Sequence, residues 1–140
     1  MRIMICGSMS NAERLLRIKE TLIEQGHDPI LTKDIQVHID DPTQTDDLEK
    51  DLVYCKENQI LLNAFKEIES CDAILIANFE KNGISGYIGT STLMELGVAY
   101  YLRKKLFILK PVPDSPKTRW AHEVMIMEPV ILDDDFSKIR

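Results

Sequence analysis

"AILIANFEKNGISGYIGTSTLMELGVAYYLRKKLFIL", residues 73–109, decides the architecture. It opens on a short continuous apolar run, AILIA (73–77), closed by Asn78, and ends on another, LFIL (106–109), stopped by Lys110-Pro111. A glycine-rich loop and a helical stretch over 92–103 lie between them. Leu93, Met94, Leu96, Val98, Ala99, Tyr100 and Leu102 surround most of that helix, which predicts a buried one. Continuous apolar runs, in place of alternating ones, are the mark of parallel strands covered on both faces.

The same grammar extends outward. RIMIC (2–6) is a strand closed by Gly7-Ser8, and PILT (29–32) and PVIL (129–132) are weaker candidates. Residues 11–25 place Leu15, Ile18, Leu22 and Ile23 on one helical face, with Gly26 as a C-cap. Residues 59–70 repeat the pattern with Ile60, Ala64, Phe65 and Ile68. Strand–helix alternation of this kind predicts a three-layer α/β domain over residues 1–140. The expected sheet is five-stranded and parallel, in the flavodoxin-like or Rossmann-like order 2-1-3-4-5. The segment 34–57, with its acidic DDPTQTDD, predicts a short helix and an exposed loop where a lid could sit.

Bulk properties narrow the function classes. The 140 residues carry a net charge of −6, which disfavours a nucleic-acid-binding surface but permits an anionic small substrate held by backbone amides. Cys6, Cys55 and Cys71 form no C-x-x-C, and His27, His38 and His122 are scattered. The expectation is a reduced cytoplasmic protein with no structural metal. No stretch approaches the roughly 20 apolar residues of a membrane span.

In an open parallel sheet, ligands sit beyond the carboxyl ends of the strands, at the switch in strand order. That places Gly7, Ser8 and Met9 opposite the loop that begins at Asn78. Gly7-Ser8 before a helix suits an anion-binding turn, and equally a tight turn with Ser8 or Ser10 as N-cap. There is no G-x-G-x-x-G and no G-K-[ST].

Glu95 is the one charged residue in 82–102, whereas about six would be expected in a chain that is 29% charged. Thr92-Leu93-Met94-Glu95 reads as a capping box, with Glu95 bonded back to the Thr92 amide. It also reads as a pocket carboxylate beside Gly86, Gly89, Thr90, Ser91 and Thr92. The residues alone leave both readings open.

ICGSM on the first strand, CDAILIAN on the third, and YIGTSTLMELGVAYYLRKKLFIL resemble the nucleoside 2-deoxyribosyltransferase-like superfamily of deoxyribosyltransferases and deoxynucleotide N-hydrolases. The likeness covers residues 3–10 and about 71–110. It implies that Glu95 is the nucleophile at C1′ of a nucleoside or nucleotide. It also implies that the Gly7-Ser8 turn and the loop of Gly89, Thr90, Ser91 and Thr92 hold sugar or phosphate, with Tyr87 a further sugar-site candidate. A carboxylate below C1′ can trap an oxocarbenium-like centre, as in retaining glycosidases. The reaction class needs no cofactor, and relatives are usually dimers or larger, so a homo-oligomer is expected.

The sequence departs from the family at the group that assists the leaving base. An aspartate eight residues before the one matching Asp72 is replaced by Ala64, with Asn63 beside it as a base-binding candidate. The position six residues before the glutamate is Gly89, and its loop is two residues longer. Asp72 opens the third strand at the wrong end of the sheet, which leaves Asp34 as the better-placed spare carboxylate. A non-catalytic nucleotide-binding or sensing module on the same scaffold is the alternative. A lysine-decarboxylase-like phosphoribohydrolase fits poorly, because Leu93 stands where G-G-x-G-T-x-x-E needs glutamate.

Overall fold

The computed structural model describes residues 1–44, 46–114 and 118–140. Five strands, β1 (Arg2–Cys6), β2 (Asp28–Ile30), β3 (Ala73–Ile76), β4 (Lys105–Ile108) and β5 (Val130–Ile131), form one sheet in the order β2-β1-β3-β4-β5. Every pairing is parallel, and Cys6 aligns with Ile76, which aligns with Ile108. The expected topology is therefore the observed one. β1 and β3 are buried almost end to end, which is why their sequences are unbroken apolar runs.

Among the described residues, six α-helices accompany the sheet: α1 (Ala12–Glu24), α2 (Ile35–Asp40), α3 (Leu48–Glu57), α4 (Ile60–Glu69), α5 (Thr90–Tyr101) and α6 (Arg119–Ile126). On one face, Leu15, Ile18 and Leu22 of α1 pack on Ile3, Ile5 and Leu75. On the other, Ile68 of α4, Leu96 and Ala99 of α5, and Val124 of α6 pack on Met4, Ile74 and Ile108. Among the described residues, no helix is long and apolar enough to cross a membrane.

Four details differ from the sequence reading. Ile23 is 53% exposed, because a residue turns about 100° around the axis per step and Ile23 rotates off the stripe of Leu15, Ile18 and Leu22. α5 is not buried all round: Thr92, Glu95, Leu96 and Ala99 form the inner stripe, while Met94, Tyr100 and Tyr101 lie at the surface. The acidic segment holds two helices, α2 and α3, and α6 arises where no helix was anticipated.

Two glycines permit the close approaches that shape the ligand side. A Cβ on Gly7 would lie 3.1 Å from the Ala77 carbonyl oxygen, tighter than an ordinary contact, so glycine eases the close approach of the β1 turn to the end of β3. Gly86 has φ +70°, and a Cβ there would lie 2.0 Å from the Pro111 carbonyl oxygen. The loop before α5 is thereby pressed onto the segment leaving β4.

Candidate active site

A cleft of about 270 Å³ opens at the carboxyl ends of β1, β2 and β3. Gly7, Ser8 and Met9 form one wall, and Thr32, Asp34 and His38 form another. Asp51 and Cys55 of α3 overhang it. The β3–α5 loop contributes Asn78, Phe79, Lys81, Tyr87 and Gly89, followed by Thr90, Ser91, Thr92 and Glu95 of α5. The site candidates read from sequence thus converge on one cavity, with one exception. Asn63 is exposed on α4, donates its amide to the Asn58 carbonyl at 3.0 Å, and borders a neighbouring depression.

Glu95 is 8% exposed. The capping box does not form: α5 begins at Thr90 after Gly89, which places Glu95 in the second turn, beyond reach of that role. Burial pushes its carboxyl up to about 7, and the nearby charge of Asp34 adds to the rise, while a hydrogen bond from the Cys6 thiol opposes it. Burial likewise raises the Cys6 thiol well above its usual value, with the Glu95 charge a further cause. None of the ion pairs among the described residues involves Glu95.

The surrounding groups divide into ligand-facing and scaffold roles. Asn78 lines the cleft, yet its amide clamps the loops: it donates to the Gly86 carbonyl at 3.2 Å and the Lys110 carbonyl at 2.7 Å, and accepts from the Lys110 amide at 2.8 Å. Ser8 precedes a 3-10 turn but makes no capping bond; its hydroxyl lies 2.7 Å from that of Ser10. The amides of Thr90, Ser91 and Thr92 form the first turn of α5, ahead of the first intrahelical bond from Leu93 to Gly89. Such amides favour oxygen-rich or anionic ligand groups. Tyr87 packs edge-on to Trp120 at 5.8 Å, with the Lys81 ammonium 5.8 Å from its ring. Arg14 stacks 3.5 Å over Phe79.

Asp34 and His38 are each 7% exposed, and His38 Nε2 lies 3.2 Å from Asp34 Oδ2. Asp34 is the residue before α2 and His38 stands one turn along, so a four-residue spacing brings them together. The sequence reading singled out Asp34 and passed over His38; the four-residue interval at a helix start was the available signal. Asp72 accepts from the Arg2 amide at 2.8 Å, at the opposite end of the sheet from the cleft. Among the described residues, no cluster of three or more histidine, cysteine, aspartate and glutamate side chains could hold a metal ion.

No family model and no curated protein matches the chain. Among solved structures, that of the Clostridium botulinum CMP N-glycosidase BcmB is similar to 89% of this chain over 82% of its own, with 16% sequence identity and a TM-score of 0.48.

Proposed function

We propose that this chain cleaves the N-glycosidic bond of a nucleoside or nucleotide, with Glu95 as the nucleophile at C1′. The observation that carries this reading is a buried carboxylate facing a small-molecule-sized cleft, released from helix capping and from ion pairing. Asp34, Asp51 and Glu95 against Lys81 make the cleft acidic, which suits a transition state that builds positive charge on the sugar. The first-turn amides and hydroxyls of Thr90, Ser91 and Thr92 would bind sugar hydroxyls or a phosphate, with Gly7, Ser8 and Met9 closing the far side. The ester on Glu95 then passes to water or to a second base, the hydrolase and transferase outcomes of one intermediate.

The raised carboxyl of Glu95 favours a second reading, a nucleotide-binding module in which protonated Glu95 donates a hydrogen bond. The two separate on turnover. Release of free base from a panel of ribo- and deoxyribonucleosides and their 5′-monophosphates, falling below about a thousandth in Glu95→Ala, supports the enzyme. Calorimetric binding without release supports the module. Apolar side chains left at the surface, Leu61 and Leu62 of α4 with Met94 and Tyr101 of α5, support a homo-oligomer.

A further inference from the structure

The geometry points to His38, held by Asp34, as the acid that protonates the departing base. This rests on the N-glycosidic reading of Glu95 and supplies what that reading lacks. A nucleobase leaves with the C1′–N bonding pair and needs a proton as it goes. Ala64 stands where the family resemblance implies an aspartate, so a proton donor has to be sought elsewhere in the cleft.

Several titratable groups line that cavity besides Glu95. Lys81 is exposed and Cys55 is a thiol that burial makes a weaker acid. Tyr87 packs its ring on Trp120. Asp51 is half-buried on α3. Asp34 and His38 are the buried pair, each 7% exposed, and of the two histidine is the side-chain type that exchanges protons near neutral pH. Asp34 Oδ2 engages Nε2, which fixes the ring and leaves Nδ1 to carry the transferable proton. The charges around the pair are Glu95 of α5, Asp51 of α3 and Lys81 in the cleft, and Lys33, Lys66 and Glu67 in the depression beside Asp34, while Glu13, Arg14 and Asp46 border the depression behind His38. Asp34 also lies near enough to Glu95 for its charge to be felt there, so acid and nucleophile share one cavity.

The step balances. Glu95 bonds to C1′ as the C1′–N bond breaks, and the Nδ1 proton goes to the base nitrogen. Water then attacks C1′, the ester oxygen returns to Glu95 as carboxylate, and the proton lost by water restores His38. His38 is a catalytic residue in this scheme and Asp34 a positioning residue.

The test compares nucleosides with p-nitrophenyl ribosides and 2-deoxyribosides, whose leaving group departs as an anion without a proton. His38→Gln is expected to lose about 10²–10⁴-fold on nucleosides and little on the nitrophenyl glycosides. It is also expected to lose the alkaline limb of the nucleoside rate profile, and Asp34→Asn to follow the same split more weakly. Equal losses on both substrates, or an alkaline limb that survives in His38→Gln, would overturn the proposal. If the native chain ignores the nitrophenyl glycosides, the alkaline limb decides alone. Should His38→Gln fail to fold, the native profile and Asp34→Asn decide: no alkaline limb on nucleosides, or no split, overturns it. Failure of the native chain to release base from any substrate overturns the Glu95 reading and this inference with it. Loss of both substrates in Glu95→Gln alone leaves the nucleophile standing and refutes only His38.

Discussion

Cys6 at the end of β1 and Glu95 of α5 interact across the β1–α5 junction, and hydrogen bonding from the thiol lowers a carboxyl that burial raises. This weak donor holds the carboxyl near 7, where burial alone would push it higher. Attack at C1′ needs the ionised form, so kcat/KM is expected to rise with pH through about 7. Cys6→Ala removes the donor and should move that acid limb to higher pH. Cys6→Ser, a stronger donor, should move it lower. Rate profiles of the three proteins check the order.

The same burial makes Glu95 a liability for folding. Its folded-state value of about 7 lies above the ordinary 4.5, so between those limits the unfolded chain has lost a proton that the folded chain keeps. Stability therefore falls as pH rises from about 4.5 to about 7 and is flat beyond, a loss on the order of 3 kcal/mol. Glu95→Gln removes the charge and should be more stable than the native chain at pH 8, with the difference vanishing near pH 4. Urea denaturation at both values measures it.

Asn78 ties the loop before α5 to the end of β4 through three hydrogen bonds. Asn78→Ala leaves two carbonyls and one amide without that partner, and a loss of about 3 kcal/mol is expected. Asn78→Asp keeps the bond from the Lys110 amide but sets a carboxylate against both carbonyls, so it should do no better. Chemical denaturation of the two variants checks this.

Gly86→Ala would place a methyl into the Pro111 carbonyl at a positive φ. A cost of about 2 kcal/mol or more is expected, with a higher KM because the loop carrying Tyr87 and Gly89 shifts. Gly89, beside which a Cβ meets open space, serves as the control: Gly89→Ala should leave stability within about 1 kcal/mol of native.

The sheet was legible because RIMIC, AILIA and LFIL are short, mostly buried apolar runs, each stopped by a turn residue or a proline, whereas the apolar run over 96–102 continues a helix. α6 was not legible: in RWAHEVMI only Ala121 and Val124 are buried, too few to show a period. Glu95 could be found as an isolated charge, yet its role could not, since T-x-x-E admits a cap and the observed helix starts two residues earlier. Asn63 was placed by a sequence offset and lies outside the cleft, because α4 turns that position to solvent. His38 was missed because its meaning comes from Asp34, and a residue's partner is a property of the fold.

The covalent step is the most exposed part of the account. Fluorine at C2′ destabilises an oxocarbenium-like centre and slows release of a glycosyl-enzyme ester. Incubation with 2′-deoxy-2′-fluoro nucleosides of a base the native chain releases, followed by peptide mass mapping, is the direct measurement. The account predicts a fluorosugar mass on the peptide containing Glu95 and none in Glu95→Gln. Base release that persists in Glu95→Gln, or a sugar carried by a different residue, would contradict it.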